Sequence, residues 1–388
     1  MAGTDITNLL EILQRKIDAV DASTAKQDLF YLLKGALEAD GTLLELYDSS
    51  GAFPDLTDSA ADREMIGYKL DSDRLYFNVG VWKGKTLPAP GVVAYSFQGS
   101  NFGYTSGGYP PDPSGTNVID KFPFSSDGNA TDVGDLTVAR FGPAGQSSST
   151  SGYSSGGTSN PPFLNTIDKF SFSSDGNATD VGDLTVARGN AAGQSSSESG
   201  YTAGGAPAPT VGLTIDKFPF AADANATDVG DLSTDKHFLS GQSSSENGYT
   251  AGGSPTTAII HKFPFSTDTN ASNIGNLTVG RYGPAGQSST THGYASGGRA
   301  APGISNVIDK FSFSSDGNAS DVGNLTVART VGGGGQSSVD NGYSSGGALP
   351  PSAAGLNVID KFPFASDTNA TDVGDLTVGR YQTAGQQY

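Results

Sequence analysis

Apolar residues change their spacing along this chain, and the changes divide it into three parts. In residues 1–40, Ile6, Leu9, Leu10, Leu13, Ile17 and Val20 recur every three or four positions after Thr4 and Asp5. Leu29, Phe30, Leu32, Leu33, Ala36 and Leu37 repeat the pattern after Ala22-Ser23-Thr24. This spacing predicts two short amphipathic helices, whose apolar faces need tertiary partners. Leu9, Leu10, Leu13, Ile17, Leu29 and Leu33 are therefore the expected docking or oligomerisation residues. Across residues 41–90 the period shortens towards two. Asp71-Ser72-Asp73 separates Gly67–Leu70 from the run Arg74–Trp82, which predicts a hairpin within a small β connector. Leu87-Pro88-Ala89-Pro90 reads as a stiff linker.

From Gly91 to the end one unit is written six times, about 48 residues per copy. Gly-Tyr-x-x-Gly-Gly places its tyrosine at Tyr104, Tyr153, Tyr201, Tyr249, Tyr294 and Tyr343. A strand of the form Ile-Asp-Lys-Phe-(Pro/Ser)-Phe follows, starting at Ile119, Ile167, Ile215, Ile260, Ile308 and Ile359, with His261 replacing the aspartate in the fourth copy. The third marker, Val-Gly-Asp-Leu-Thr-Val-(Ala/Gly)-Arg in most copies, starts at Val133, Val181, Val229, Ile274, Val322 and Val373. A period of this length fits a four-stranded propeller blade, so residues 91–388 are expected to form a six-bladed β-propeller. The fold class is mainly β, with a short helical segment and a small β module in front.

In the second copy, Gly145–Ser149 is the expected inner strand, Gly152–Gly157 the second, Ile167–Phe172 the third and Asp180–Arg188 the outer one. The glycine pair after an aromatic-bearing strand, and the arginine near the end of the outer strand, resemble a kelch repeat over about three quarters of the chain. The outer-strand tryptophan of kelch repeats is absent, and Val181-Gly182-Asp183-Leu184 stands there. Ser96–Ser100 is a candidate inner strand for the first blade, and Gly385–Tyr388 falls where a seventh would begin. Blades one and six are thus expected to meet side by side without a full strand exchange.

With 54 glycines and only 16% charged residues, the core must rest on close backbone approach and small side chains. The absence of cysteine excludes disulfides and thiolate chemistry, and three histidines leave little for a metal cluster. A net charge of −18 argues against nucleic acid as a partner. No apolar run is long enough to insert in a membrane, and the first 21 residues lack signal-peptide order.

Repeated features read as structure. Asn129, Asn177, Asn225, Asn270, Asn318 and Asn369 stand in glycosylation-like triplets, as do Asn276 and Asn324, but Asp-Gly-Asn is turn chemistry. Asp127, Asn129, Thr131 and Asp135 have an alternating oxygen spacing without the calcium-loop glycine, so neither a metal nor a cofactor is expected. Asp120-Lys121 and Arg140 recur in nearly every copy and are expected to bond structurally. The repeat breaks at Asp235-Lys236-His237-Phe238 and at His261, where no nucleophile–base pair is expected and no catalytic residue is assigned.

Two segments differ freely between copies: the link from the glycine pair to the next isoleucine strand, and the link from outer strand to next inner strand. In an antiparallel blade both lie on one face, where recognition is expected. Tyr109, Phe141, Phe163, Phe238 and Tyr282, with Arg299 as polar partner, are the candidate ligand-binding residues.

The layout as a whole, carried by Arg74–Trp82 and by the repeated Gly-Tyr-x-x-Gly-Gly and Asp-Lys-Phe-Pro-Phe, resembles virion proteins of marine, cyanophage-like tailed bacteriophages. That resemblance implies a virion location, with residues 1–90 docking to other virion proteins, a homo-oligomer with a trimer favoured, and the propeller projecting as a fibre or tail appendage that engages host-surface glycan. A purely architectural neck, collar or capsid decoration is the alternative, and a glycan hydrolase with paired carboxylates a third.

Overall fold

The computed structural model describes residues 45–49, 65–69, 74–78 and 82–84, and residues 97–388 apart from 110–114, 160, 208–211, 331–333 and 351–353. The two expected helices, and with them Leu9, Leu10, Leu13, Ile17, Leu29 and Leu33, lie outside the described residues. The chain divides into two compact units, Met1–Ala94 and Tyr95–Tyr388.

In the first unit, Met65–Lys69 and Arg74–Asn78 form the expected antiparallel hairpin, with Tyr68 opposite Leu75. Glu45–Ser49 adds to it in parallel. The run ending at the tryptophan is two strands, not one: Trp82–Gly84 turns back to place Trp82 opposite Asn78.

The second unit is a six-bladed β-propeller. Blade 2 is built from Ala144–Ser147, Ser151–Ser155, Thr166–Ser171 and Thr179–Asp183 in order from the axis outwards, all antiparallel. Blades 3 to 6 repeat this order in sequence, and their inner strands start at Ala192, Ser240, Ala285 and Gly334. Blade 1 closes the ring differently from the side-by-side meeting expected. Its inner strand is the C-terminal Ala384–Gln387, paired with Phe102–Ser106 in the register Gln386 opposite Tyr104. Ser96–Ser100 is displaced from that role. Gly99 N donates to Ser337 O and Gln98 Nε2 to Ser288 O, so the chain enters the propeller at the axis, beside the ends of the inner strands.

Each repeated motif reaches into the neighbouring blade. The last four residues of the second strand are buried in every blade, which is why they are Gly, Tyr and two small residues drawn from Ser, Thr and Ala. That tyrosine packs on both phenylalanines of the next blade: Tyr153 lies 5.5 Å from Phe218 and stacks at 4.9 Å on Phe220, and the arrangement recurs around the ring. Such ring pairs contribute about 0.5–1.5 kcal/mol each beyond their buried area. In the outer strands the register slips by one residue opposite the Ile-Asp step, a bulge that carries the extra residue, Val181 in blade 2, onto the adjoining core.

The triplet asparagines belong to the same system. Asn177 Oδ1 accepts from Asp135 N of the preceding blade at 3.1 Å, and Asn225, Asn270, Asn318, Asn369 and Asn129 each do the equivalent. Asp127, the first of the calcium-like oxygens, is ion-paired to Lys361, and its counterparts pair with the other five repeat lysines.

Candidate functional site

The link from each outer strand to the next inner strand turns sharply at the axis. Its second residue has a left-handed backbone at Gly142 (φ 65°), Asn190 (57°), Phe238 (55°), Gly283 (65°) and Gln382 (53°). Glycine and asparagine tolerate that conformation, whereas a bulky aromatic there is an outlier whose cost the surroundings must offset. The turns are strung into a collar. Gly142 N donates to Gln382 O, Asn190 N to Gly142 O, Phe238 N to Asn190 O, and Gly283 N to Phe238 O, all at 2.7–2.8 Å. Inside the collar is an open basin lined by Pro143, Asn190, Phe238, Leu239, Pro284 and Gln382, among others. Gln382 Nε2 donates to Asn190 Oδ1 at 2.8 Å, which aligns two amides at the rim.

Around the collar, the first residue of each link forms a backbone bridge with the residue that follows the glycine pair of the blade it enters. The pairs are Tyr381 with Tyr109, Phe141 with Thr158, Gly189 with Ala206, His237 with Ser254, Tyr282 with Arg299 and Thr330 with Ala348. The two variable links therefore do share one face. The bridges also gather the candidate aromatics into two clusters. Tyr109 lies 5.0 Å from Phe141, edge to face, and 5.3 Å from Tyr381. Phe238 lies 6.0 Å from Tyr282 and 5.2 Å from His237, with the exposed Arg299 beside Tyr282. Phe163 bridges Thr158 instead and joins neither ring cluster. Tyr381, Asn190 and Gln382 were not foreseen from the sequence, and His237 stood out there as a break in the repeat and not as a binding residue. Tyr381 was within reach, since it holds the same repeat position as Phe141 and Tyr282.

Among the described residues of these links, Asp235 is the one carboxylate. For a chain of net charge −18, the described part of this face is thus poor in acid. The paired carboxylates that a glycosidase needs are not assembled among those residues.

The second break in the repeat lies between blades 3 and 4. Elsewhere the outer-strand arginine reaches the next blade's aspartate with both groups buried: Arg140–Asp168 at 2.8 Å, Arg188–Asp216 and Arg281–Asp309 at 3.1 Å, Arg380–Asp120 at 3.0 Å, and Arg329–Asp360. A threonine completes each clamp. Thr137 gives Asp168 two bonds, one from its N–H and one from its hydroxyl. Burial lowers the pKa of each arginine from its ordinary value, while the paired aspartate works to raise it.

Between blades 3 and 4 all three members change at once. Ser233 Oγ meets His261 Nε2 at 2.9 Å, Thr250 Oγ1 lies 3.2 Å from Nδ1, and Lys236 turns away to Pro255 O. This is a nucleophile beside a base, contrary to the sequence expectation. Its place in the repeat makes it a neutral version of the clamp. Burial first, and Lys236 second, hold the imidazole down at about 4 against an ordinary 6.5, leaving a weak base.

No family model matches this chain, and no curated protein does. The architecture nonetheless stands on its own geometry, a six-bladed propeller consistent with a kelch-like ring.

The His261 clamp has a pH signature. A histidine whose folded pKa is depressed contributes stability that is complete above about pH 6.5 and is lost as pH falls towards 4, because the unfolded chain takes up the proton first. Thermal melts between pH 7 and pH 4.5 should show a steeper loss for the wild type than for His261→Gln, which keeps hydrogen-bonding capacity without titrating. Equal slopes would exclude His261 as the source.

Proposed function

We propose that the protein is a virion component of a tailed bacteriophage, a fibre or tail appendage whose propeller binds host-surface glycan through its variable face. One observation carries the binding part. Side chains that differ between copies are concentrated on a single face, where they surround an axial basin with half-buried aromatics and little acid. Conserved motifs in the chain hold blade to blade, so this face is where the sequence is free to serve recognition. Aromatic rings with amides and one guanidinium suit the apolar faces and hydroxyls of sugars.

The phage assignment rests on the resemblance of Arg74–Trp82 and the repeats to marine phage virion proteins. Full-length protein should bind a subset of bacterial surface glycans on a printed array, and light scattering should give the mass of a trimer. No glycan binding, together with capture of other virion subunits, would support the architectural collar or decoration reading instead.

A further inference from the structure

The two aromatic clusters are not neighbours. In a ring of six, blade 1 faces blade 4 across the axis and blade 2 faces blade 5. Tyr381 and Tyr109 belong to blade 1 and Phe141 leads into blade 2. His237 and Phe238 lead into blade 4, and Tyr282 and Arg299 belong to blade 5. The clusters are therefore diametrically opposed. Between them lies the basin, and the Asn190–Gln382 amide pair borders it over blade 2, on the side of the first cluster. On the remaining diameter the bridged pairs are small, Gly189 with Ala206 and Thr330 with Ala348.

From this placement we propose that the ligand is one linear oligosaccharide lying across the mouth of the propeller, long enough to contact both aromatic clusters at once, with its middle residues over the basin. The inference rests on the glycan-binding reading and adds the form of the ligand. A single terminal sugar would need one aromatic platform with polar groups converging around it. Here two platforms stand at opposite ends of one diameter, and the amide pair borders the basin on the side of the first. Arg299 places the one guanidinium of the described links at the rim of the second cluster. Phe238 supports the same view. It holds a left-handed backbone where blades 2 and 5 use Gly142 and Gly283, so its ring stands at the basin at a conformational cost.

The test is a length series. The best array glycan is supplied as its own fragments from monosaccharide to octasaccharide, and each is titrated calorimetrically against full-length protein. Affinity should climb with length and level off once both clusters are spanned. Tyr109→Ala with Phe141→Ala should weaken the longest chain roughly tenfold, and Phe238→Gly with Tyr282→Ala should do the same. Each of these variants should still bind the short fragments that reach its intact cluster. A monosaccharide that binds as tightly as the octasaccharide, or dependence on one cluster alone, would overturn the spanning ligand and leave glycan binding intact. An array with no binding glycan would remove both. Should either cluster variant fail to fold, the length series on the unaltered protein still decides.

Discussion

Gly241→Ala should leave little or no folded propeller. A β-carbon on Gly241 would stand 2.1 Å from the carbonyl oxygen of Gly193 and 3.0 Å from its carbonyl carbon. Both are backbone atoms, which cannot rotate away. Gly193 meets Gly145 in the same way, Gly286 meets Gly241, Gly335 meets Gly286, Gly385 meets Gly335, and Gly145 closes the circle against Gly385. Because the circle is closed, a blade displaced from one neighbour is driven into the next. The cost should exceed the 1–3 kcal/mol typical of an overpacked core, about 3 kcal/mol being the lower bound. Gly176→Ala is the matched control. Nothing lies within 4 Å of its added carbon, so its melting curve should follow the wild type. Near-ultraviolet circular dichroism and thermal melts of the two variants check this, and a Gly241→Ala protein with native stability would show that the inner strands are not in backbone contact.

The same ring explains how much could be read in the sequence. The repeat period, the four strands and the six blades follow from motifs that recur in register, since every copy must present the same surface to its neighbour. Gln146, with its Nε2 2.9 Å from Tyr201 O, recurs at Gln194, Gln242, Gln287, Gln336 and Gln386 because each clamps the next blade's tyrosine carbonyl. Ring closure was not legible. The partner of Phe102–Ser106 lies 280 residues away at Gln386, a distance at which local spacing has no bearing. The candidate aromatics were legible as residues on variable links, but not as two opposed groups. That arrangement depends on which link enters which blade, and on the bridges that join Tyr109 to Tyr381 and Tyr282 to Arg299. Ser233 beside His261 escaped notice because the two belong to different blades, and only the ring brings them together.

At that neutral clamp, exchange of one residue should do more harm than exchange of all three. His261→Asp restores the repeat's aspartate at a fully buried position, but Lys236 is engaged with Pro255 O and no guanidinium faces the site. A buried carboxylate without its partner costs about 3–5 kcal/mol. Adding Lys236→Arg and Ser233→Thr supplies the guanidinium and the threonine that hold Asp216 and Asp309 at the flanking interfaces. The triple variant should therefore recover at least about 2 kcal/mol of what His261→Asp loses, as a coupling that single exchanges do not predict. It should also lose the stability change between pH 6.5 and 4 that the imidazole contributes. Urea unfolding of the single, double and triple variants measures the coupling directly. If the three exchanges add without coupling, the arginine, threonine and aspartate do not act as one clamp. The concerted change of Ser233, Lys236 and His261 would then have no energetic meaning. If they couple, the chain carries in its own sequence the evidence that these positions answer one another across the blade interface.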